Sequence, residues 1–195
     1  MVIHENRGIN PHIKDITRRL AVAGYAALGV DMLGPMGGTP DDGDKAAAMW
    51  ATLKREDAVA YASAAFAALK ARKGGNGKVG AIGFCWGGDI ANLLAVTEPK
   101  LTASVAYYGG QPPADKVPAI KAALLLHYAG LDQRIDAGIP AFEAALKKAH
   151  KNYRIYIYPN VNHGFNNDTA GVRYNKEAAD LSWTRTLAFF KKYLS

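Results

Sequence analysis

The stretch Val79-Gly-Ala-Ile-Gly-Phe-Cys-Trp-Gly-Gly88 decides the fold of this chain. A short apolar run leads into the pattern Gly-x-Cys-x-Gly centred on Cys85, and a helix-like segment, residues 89–96, follows at once. This layout is typical of a nucleophile elbow, a sharp strand-to-helix turn, here with sulfur in place of oxygen. Side chains at the two flanking glycines would collide with neighbouring atoms, so the pattern predicts a strained turn.

The helix after the elbow bears on the chemistry of the cysteine. Its N-terminal N–H groups and dipole favour a thiolate over a thiol and can stabilise an oxyanion. We therefore expect an activated sulfur at Cys85 and acyl transfer through it.

Segments with strand and helix patterns alternate on both sides of the elbow. The predicted strands are 2–3, 25–31, 79–84, 101–108, 122–128 and 153–158, and the predicted helices are 10–24, 45–53, 56–72, 89–96, 139–150 and 175–193. This alternation predicts an α/β fold, a three-layer αβα arrangement with a mostly parallel sheet of about six strands. With 195 residues, the chain is expected to form a single domain over 1–195.

Composition excludes several classes of protein. The chain is 49% hydrophobic and has a net charge of +7, but its lysines fall in short groups on amphipathic segments, which indicates solvated helix ends and no nucleic-acid partner. We find no apolar run that could span a membrane and no signal peptide, so a soluble, cytoplasmic protein is expected. A single cysteine excludes an internal disulfide. No metal-binding pair and no dinucleotide fingerprint occurs, so neither a metal nor another cofactor is predicted.

Four chemically capable side chains follow predicted strands: Glu5, Cys85, Asp132 and His163. The carboxyl ends of parallel strands are where active sites lie in such sheets. The order nucleophile, acid, histidine is that of the α/β-hydrolase arrangement. Cys85 would attack an acyl carbon, His163 would shuttle the proton, and Asp132 would orient the ring, with Asp136 as a nearby alternative.

Two backbone N–H groups are expected to form the oxyanion hole. One belongs to Trp86, the residue after the nucleophile, and the other is assigned to Asn6 in the loop after the first strand.

Taken together, these motifs resemble the dienelactone hydrolase family, the carboxymethylenebutenolidases of the α/β-hydrolase superfamily. The similarity rests on His4-Glu-Asn-Arg-Gly8, Gly83-Phe-Cys-Trp-Gly-Gly88, Gly130-Leu-Asp132 and Asn162-His-Gly-Phe165, and it covers nearly the whole chain. The resemblance implies a carboxylic ester hydrolase of small esters or lactones in which Glu5 holds the resting thiol and takes its proton when substrate arrives.

In this family, the resemblance implies, arginines hold the carboxylate of the substrate, one of them shortly after the catalytic histidine. The chain has no arginine there, and Arg7, Arg134 or Arg173 could substitute. Arg7, Phe165 and Tyr108 are our candidates for contact with substrate.

A second departure from the family pattern lies at the start of the chain. Family members usually begin with further strands, typically an antiparallel hairpin, which this sequence does not contain. Strand 25–31 would then be an exposed sheet edge, and an open edge favours pairing with another chain. We therefore expect a homodimer or poor solubility.

Two other classes of function remain open at this stage. The chain could be a non-catalytic α/β-hydrolase-fold protein that binds a partner or ligand, or a one-cysteine redox sensor, which would need neither Asp132 nor His163.

Overall fold

The computed structural model describes all residues, 1–195, and contains one six-stranded sheet in which every neighbouring pair is parallel. Its spatial order is β2-β1-β3-β4-β5-β6. The strands are β1 Val2–Ile3, β2 Gly29–Val30, β3 Gly80–Phe84, β4 Ala103–Tyr107, β5 Ala123–Ala129 and β6 Tyr153–Tyr158. The central strands β3, β4 and β5 are buried along their whole length, which explains why they read as continuous apolar runs without alternation.

Helices cover both faces of this sheet. They are α1 Pro11–Val22, α2 Gly43–Thr52, α3 Arg55–Lys70, α4 Trp86–Thr97, α5 Gln133–Asp136, α6 Ile139–Lys148 and α7 Lys176–Leu194. The apolar sides of α1 and α7 pack in one core cluster, and those of α3, α4 and α6 pack in the other. The predicted α/β three-layer architecture is confirmed. None of these helices combines the length and the hydropathy needed to cross a bilayer.

The second strand is much shorter than predicted. Only Gly29 and Val30 pair with β1, although the apolar run extends from residue 25 to residue 31. The first part of the run closes helix α1 instead, because the N–H of Tyr25 donates to the carbonyl of Leu20 after the left-handed turn at Gly24.

The two edges of the sheet therefore differ in length. The β2 edge is only two residues long, whereas β6 forms the opposite edge with six residues, among them Ile157, which is 53% exposed. The second predicted strand does form a sheet edge, as expected, but it is shorter than the 25–31 segment, and β6 is the longer of the two edges.

Candidate active site

The turn around Cys85 has the strained geometry predicted for a nucleophile elbow. Cys85 lies between β3 and α4 with φ 56° and ψ −122°, a left-handed conformation that L-residues rarely adopt. A Cβ at Gly83 would lie 1.9 Å from the carbonyl oxygen of Gly87, and one at Gly87 would lie 2.4 Å from the carbonyl oxygen of His4. Both glycines are thus required by backbone contacts, which confirms the steric reason for the pattern.

The four side chains predicted to act together all emerge at one edge of the sheet. Glu5 follows β1, Cys85 follows β3, Asp132 follows β5 and His163 lies in the loop after β6. Because all six strands are parallel, their carboxyl ends meet there.

Asp132 and His163 form a close pair. Nδ1 of His163 lies 2.5 Å from Oδ2 of Asp132, and the side chains are 21% and 8% exposed respectively. A carboxylate oxygen only accepts, so Nδ1 carries the hydrogen and Nε2 is left free to take a proton. Burial lowers the pKa of His163, while the bond to Asp132 works in the opposite direction. Asp136, the alternative acid, makes no hydrogen bond to the ring.

The Cys85 sulfur is a thiol at rest, as the family resemblance implies and unlike the thiolate expected from the helix terminus alone. Burial, followed by the negative charge of Glu5, raises the pKa of Cys85 to about 11. The backbone N–H of Trp86 and the charge of Arg134 lower this pKa, but by less. The helix terminus thus acts in the expected direction and is outweighed by desolvation. Sγ makes no hydrogen bond to His163 or to Glu5 in the resting arrangement.

Glu5 is held by two side chains from distant parts of the chain. The Asn167 amide donates to Oε2 at 2.9 Å, and the hydroxyl of Tyr108 lies 3.5 Å from Oε1. Burial raises the pKa of Glu5, and the bond from Asn167 and the charge of Arg173 partly offset that rise. A carboxylate with a raised pKa beside a thiol is suited to accept the thiol proton.

Asn167 was not identified from the sequence as a site residue. Its side-chain oxygen accepts from both the N–H and the hydroxyl of Thr169, at 2.9 and 2.7 Å, so its NH₂ group must face Glu5. The Asn-x-Thr spacing is a local signal of such a turn. No local signal could have named the partner, because Glu5 is 162 residues away.

The two N–H groups predicted to form the oxyanion hole are those of Trp86 and Asn6. The N–H of Trp86 opens helix α4 and interacts with the Cys85 sulfur. Asn6 follows Glu5 in an exposed turn, and its N–H makes no hydrogen bond to any protein atom.

The three arginines considered as ligands for a substrate carboxylate, Arg7, Arg134 and Arg173, fall into two groups. Arg7 is paired with Asp44 at 2.9 Å on an exposed surface, so its guanidinium is already occupied. Arg134 and Arg173 have no carboxylate partner, and their charges reach the site: both lower the pKa of His163.

Two residues expected to contact substrate are instead packed in the core. Tyr108 and Phe165 are fully buried, with ring centroids 5.4 Å apart in an edge-on contact. Tyr108 packs against the catalytic candidate His163, with the two ring centroids 4.9 Å apart. Its backbone adopts a positive φ of 40°. Neither side chain has surface available to a substrate here, which corrects that expectation.

The parallel sheet, the cysteine elbow and the Asp132–His163 pair define a hydrolase of the α/β-hydrolase class. The sequence model of the dienelactone hydrolase family matches residues 1–194. The chain therefore belongs to that family and is a carboxylic ester hydrolase.

Relatives and solved structures agree with this assignment. The "Putative carboxymethylenebutenolidase" of Saccharolobus solfataricus is 34% identical over 98% of this chain and 88% of its own length. A protein of the same name from Escherichia coli K12 is 31% identical over 99% of this chain and 76% of its own. The crystal structure of a dienelactone hydrolase-like promiscuous phosphotriesterase from metagenomic libraries superposes with a TM-score of 0.88 at 31% identity, covering 100% of this chain and 85% of that one.

Proposed function

We propose that this protein hydrolyses small carboxylic esters or lactones through an acyl-enzyme on Cys85. The observation that carries the proposal is the 2.5 Å bond between His163 Nδ1 and Asp132 Oδ2, at the same edge of the sheet as the strained cysteine. An oriented imidazole next to a nucleophile elbow is the arrangement that acyl transfer requires.

Acylation begins from the neutral thiol. Glu5 takes the proton from Sγ, and the resulting thiolate attacks the acyl carbon. The N–H groups of Trp86 and Asn6 stabilise the oxyanion of the tetrahedral intermediate. The ester C–O bond then breaks, and the leaving oxygen receives the proton held by Glu5, so that Glu5 is again a carboxylate.

Deacylation uses His163 and Asp132. His163 takes a proton from water through Nε2 while Asp132 stabilises the imidazolium, and the hydroxide attacks the thioester carbon. The C–S bond breaks, the carboxylic acid departs, and the proton on His163 returns to sulfur. Ester and water are converted to acid and alcohol, and the resting thiol is restored.

The unpaired arginines indicate the charge of the substrate. Arg134 and Arg173 bring positive charge to the mouth of the site without a protein carboxylate to neutralise it. We propose that esters or lactones bearing a carboxylate are preferred over neutral ones, because an anionic group would pair with these side chains.

The test is a panel of lactones and aryl esters of differing charge, read by intact mass for acylated Cys85 and by rate. A phosphotriester is included because one structurally similar protein is described as a phosphotriesterase. Arg134→Gln and Arg173→Gln should raise KM for anionic substrates. Arg72→Gln is the control and should leave KM unchanged, because Arg72 lies near the amino ends of the strands, away from the site. Full ester turnover by Cys85→Ala would refute the acyl-enzyme.

The redox-sensor alternative is disfavoured by the resting thiol. Sensor cysteines react with peroxide as thiolates and have a low pKa, whereas burial and Glu5 raise the pKa of Cys85 to about 11. A non-catalytic binding protein would show no acylation of Cys85 by any activated ester in the same panel.

A further inference from the structure

His4 is fully buried directly before the proposed base, and it makes two hydrogen bonds to backbone groups. Nδ1 lies 2.6 Å from the carbonyl oxygen of Glu5, and Nε2 accepts from the N–H of Met32 at 3.1 Å. The Met32 N–H can only donate, so Nε2 must be unprotonated and Nδ1 must carry the hydrogen. Burial lowers the pKa of His4, which keeps this neutral form in place.

The bond from His4 fixes a whole peptide group. The carbonyl of Glu5 and the N–H of Asn6 belong to one planar peptide unit, which is trans, so the two groups point in opposite directions. Holding the carbonyl therefore sets the direction of the Asn6 N–H, which has no acceptor within the protein. A hydrogen bond at the carbonyl also polarises the peptide and strengthens its N–H as a donor.

His4 also touches the segment that carries the other oxyanion donor. Its ring lies 5.8 Å from that of Trp86, and its carbonyl oxygen is so close to Gly87 that a Cβ there would be 2.4 Å away. One buried residue thus contacts both backbone segments on which the proposed oxyanion hole depends.

We propose that His4 is a positioning residue for the oxyanion hole: its Nδ1–H holds the peptide between Glu5 and Asn6 so that the Asn6 N–H faces the developing oxyanion. This inference rests on the acyl-enzyme proposed above. It gives His4 a role separate from that of the neighbouring Glu5 side chain, since His4 acts on the peptide backbone and Glu5 acts on the thiol proton.

The test separates the two bonds of His4 with two amide variants. The amide of Asn places a donor near the position of Nδ1, while that of Gln places an acceptor near Nε2. We expect His4→Gln, which keeps the bond from Met32 and loses the one to Glu5, to lower kcat for an aryl ester by about 10- to 100-fold with KM little changed. His4→Asn should recover most of that loss. A larger loss of kcat in His4→Asn than in His4→Gln, or equal losses in both variants at wild-type thermal stability, would contradict the proposal. Either result would show that the role of His4 is its hydrogen bond with the N–H of Met32.

A second measurement distinguishes the oxyanion hole from the thiol. Alkylation of Cys85 by iodoacetamide forms no oxyanion, so its rate should be the same in His4→Gln and in the wild type while ester acylation falls. Equal losses in both reactions would overturn the inference and indicate a disturbed elbow. If both variants fail to fold, nitrogen NMR of the wild type decides, because a hydrogen on Nε2 of His4 would contradict the proposal. Full turnover by Cys85→Ala would instead refute the acyl-enzyme itself, and the role of His4 with it.

Discussion

The amide of Asn167 donates to the carboxylate of Glu5 over 2.9 Å, joining the loop after β6 to the loop after β1. The same amide accepts two hydrogen bonds from Thr169, so it cannot turn over without losing both. The loop that carries His163 therefore also holds the proposed base for Cys85. In this way the two proton-transfer groups of the proposed mechanism are connected through one segment, residues 163–169.

Asn167→Ala should shift the pH dependence of activity. The bond from Asn167 lowers the pKa of Glu5, so its loss lets burial raise that pKa further. The base must be ionised to act, and the acidic limb of kcat/KM should therefore move to higher pH, with activity lost more at pH about 6 than at pH about 8. Asn162→Ala, at an exposed position on the same loop, is the control. An unchanged limb, or one at lower pH, would contradict the assignment of Glu5.

Alkylation of Cys85 in the absence of substrate should be slow at neutral pH. With a pKa of about 11, the thiolate fraction and the rate rise about tenfold per pH unit through the range below it. Glu5→Gln removes a negative charge that raises the Cys85 pKa, so alkylation at pH about 8 should become faster while ester turnover becomes slower. Iodoacetamide labelling followed by intact mass measures both profiles. A rate that is already maximal at pH about 7 would show a resting thiolate.

Asp132→Asn should reduce kcat by about 10³- to 10⁴-fold, because the amide no longer favours the tautomer with hydrogen on Nδ1 or stabilises the imidazolium. Asp132 also caps the short helix α5, and asparagine caps about as well, so the fold should be retained. Asp136→Asn is the matched control and should keep near-wild-type kcat. A large loss in the control with little in Asp132→Asn would reverse the assignment of the acid.

Gly83→Ala should destabilise the protein by about 3 kcal/mol or prevent its folding, because the added methyl group would lie 1.9 Å from a backbone oxygen that cannot move aside. Gly34→Ala is the control, since a Cβ there meets nothing within 4 Å. Urea unfolding followed by circular dichroism gives both free energies of unfolding. Equal stabilities of the two variants would mean that the elbow is not as tightly packed as described.

The homodimer remains a prediction, and the sheet edges show where to test it. Sedimentation velocity of the wild type should give a dimer. Ile157→Lys charges the edge strand β6, while Leu28→Lys charges the segment beside the short strand β2. Pairing through β6 predicts that only Ile157→Lys yields monomers, and pairing through β2 predicts the opposite. A monomeric wild type at high concentration would rule out both edges.

Much of the fold was predictable from local patterns. Strand β6 was placed at its observed residues because its Tyr and Ile run is bounded by turn residues, and β5 was placed within one residue at each end. Strand β2 was overestimated because residues 25–28 are apolar, yet the backbone of Tyr25 completes the end of helix α1. Apolar character identifies what is buried, but it does not decide which hydrogen bonds a segment makes.

By itself, the sequence determined the elbow and the order of the residues that follow the strands. Gly83 is needed for a steric reason that acts within four residues, and parallel strands bring their carboxyl ends together whatever the details of packing. The reason for Gly87 is a tertiary contact, since a Cβ there would meet the carbonyl oxygen of His4. Only the tertiary structure decided why the sulfur rests as a thiol, which groups contact Glu5 and which tautomer His4 adopts. Each of these depends on desolvation and on hydrogen bonds between groups far apart in the chain, and the energy of such contacts exists only once the chain has packed.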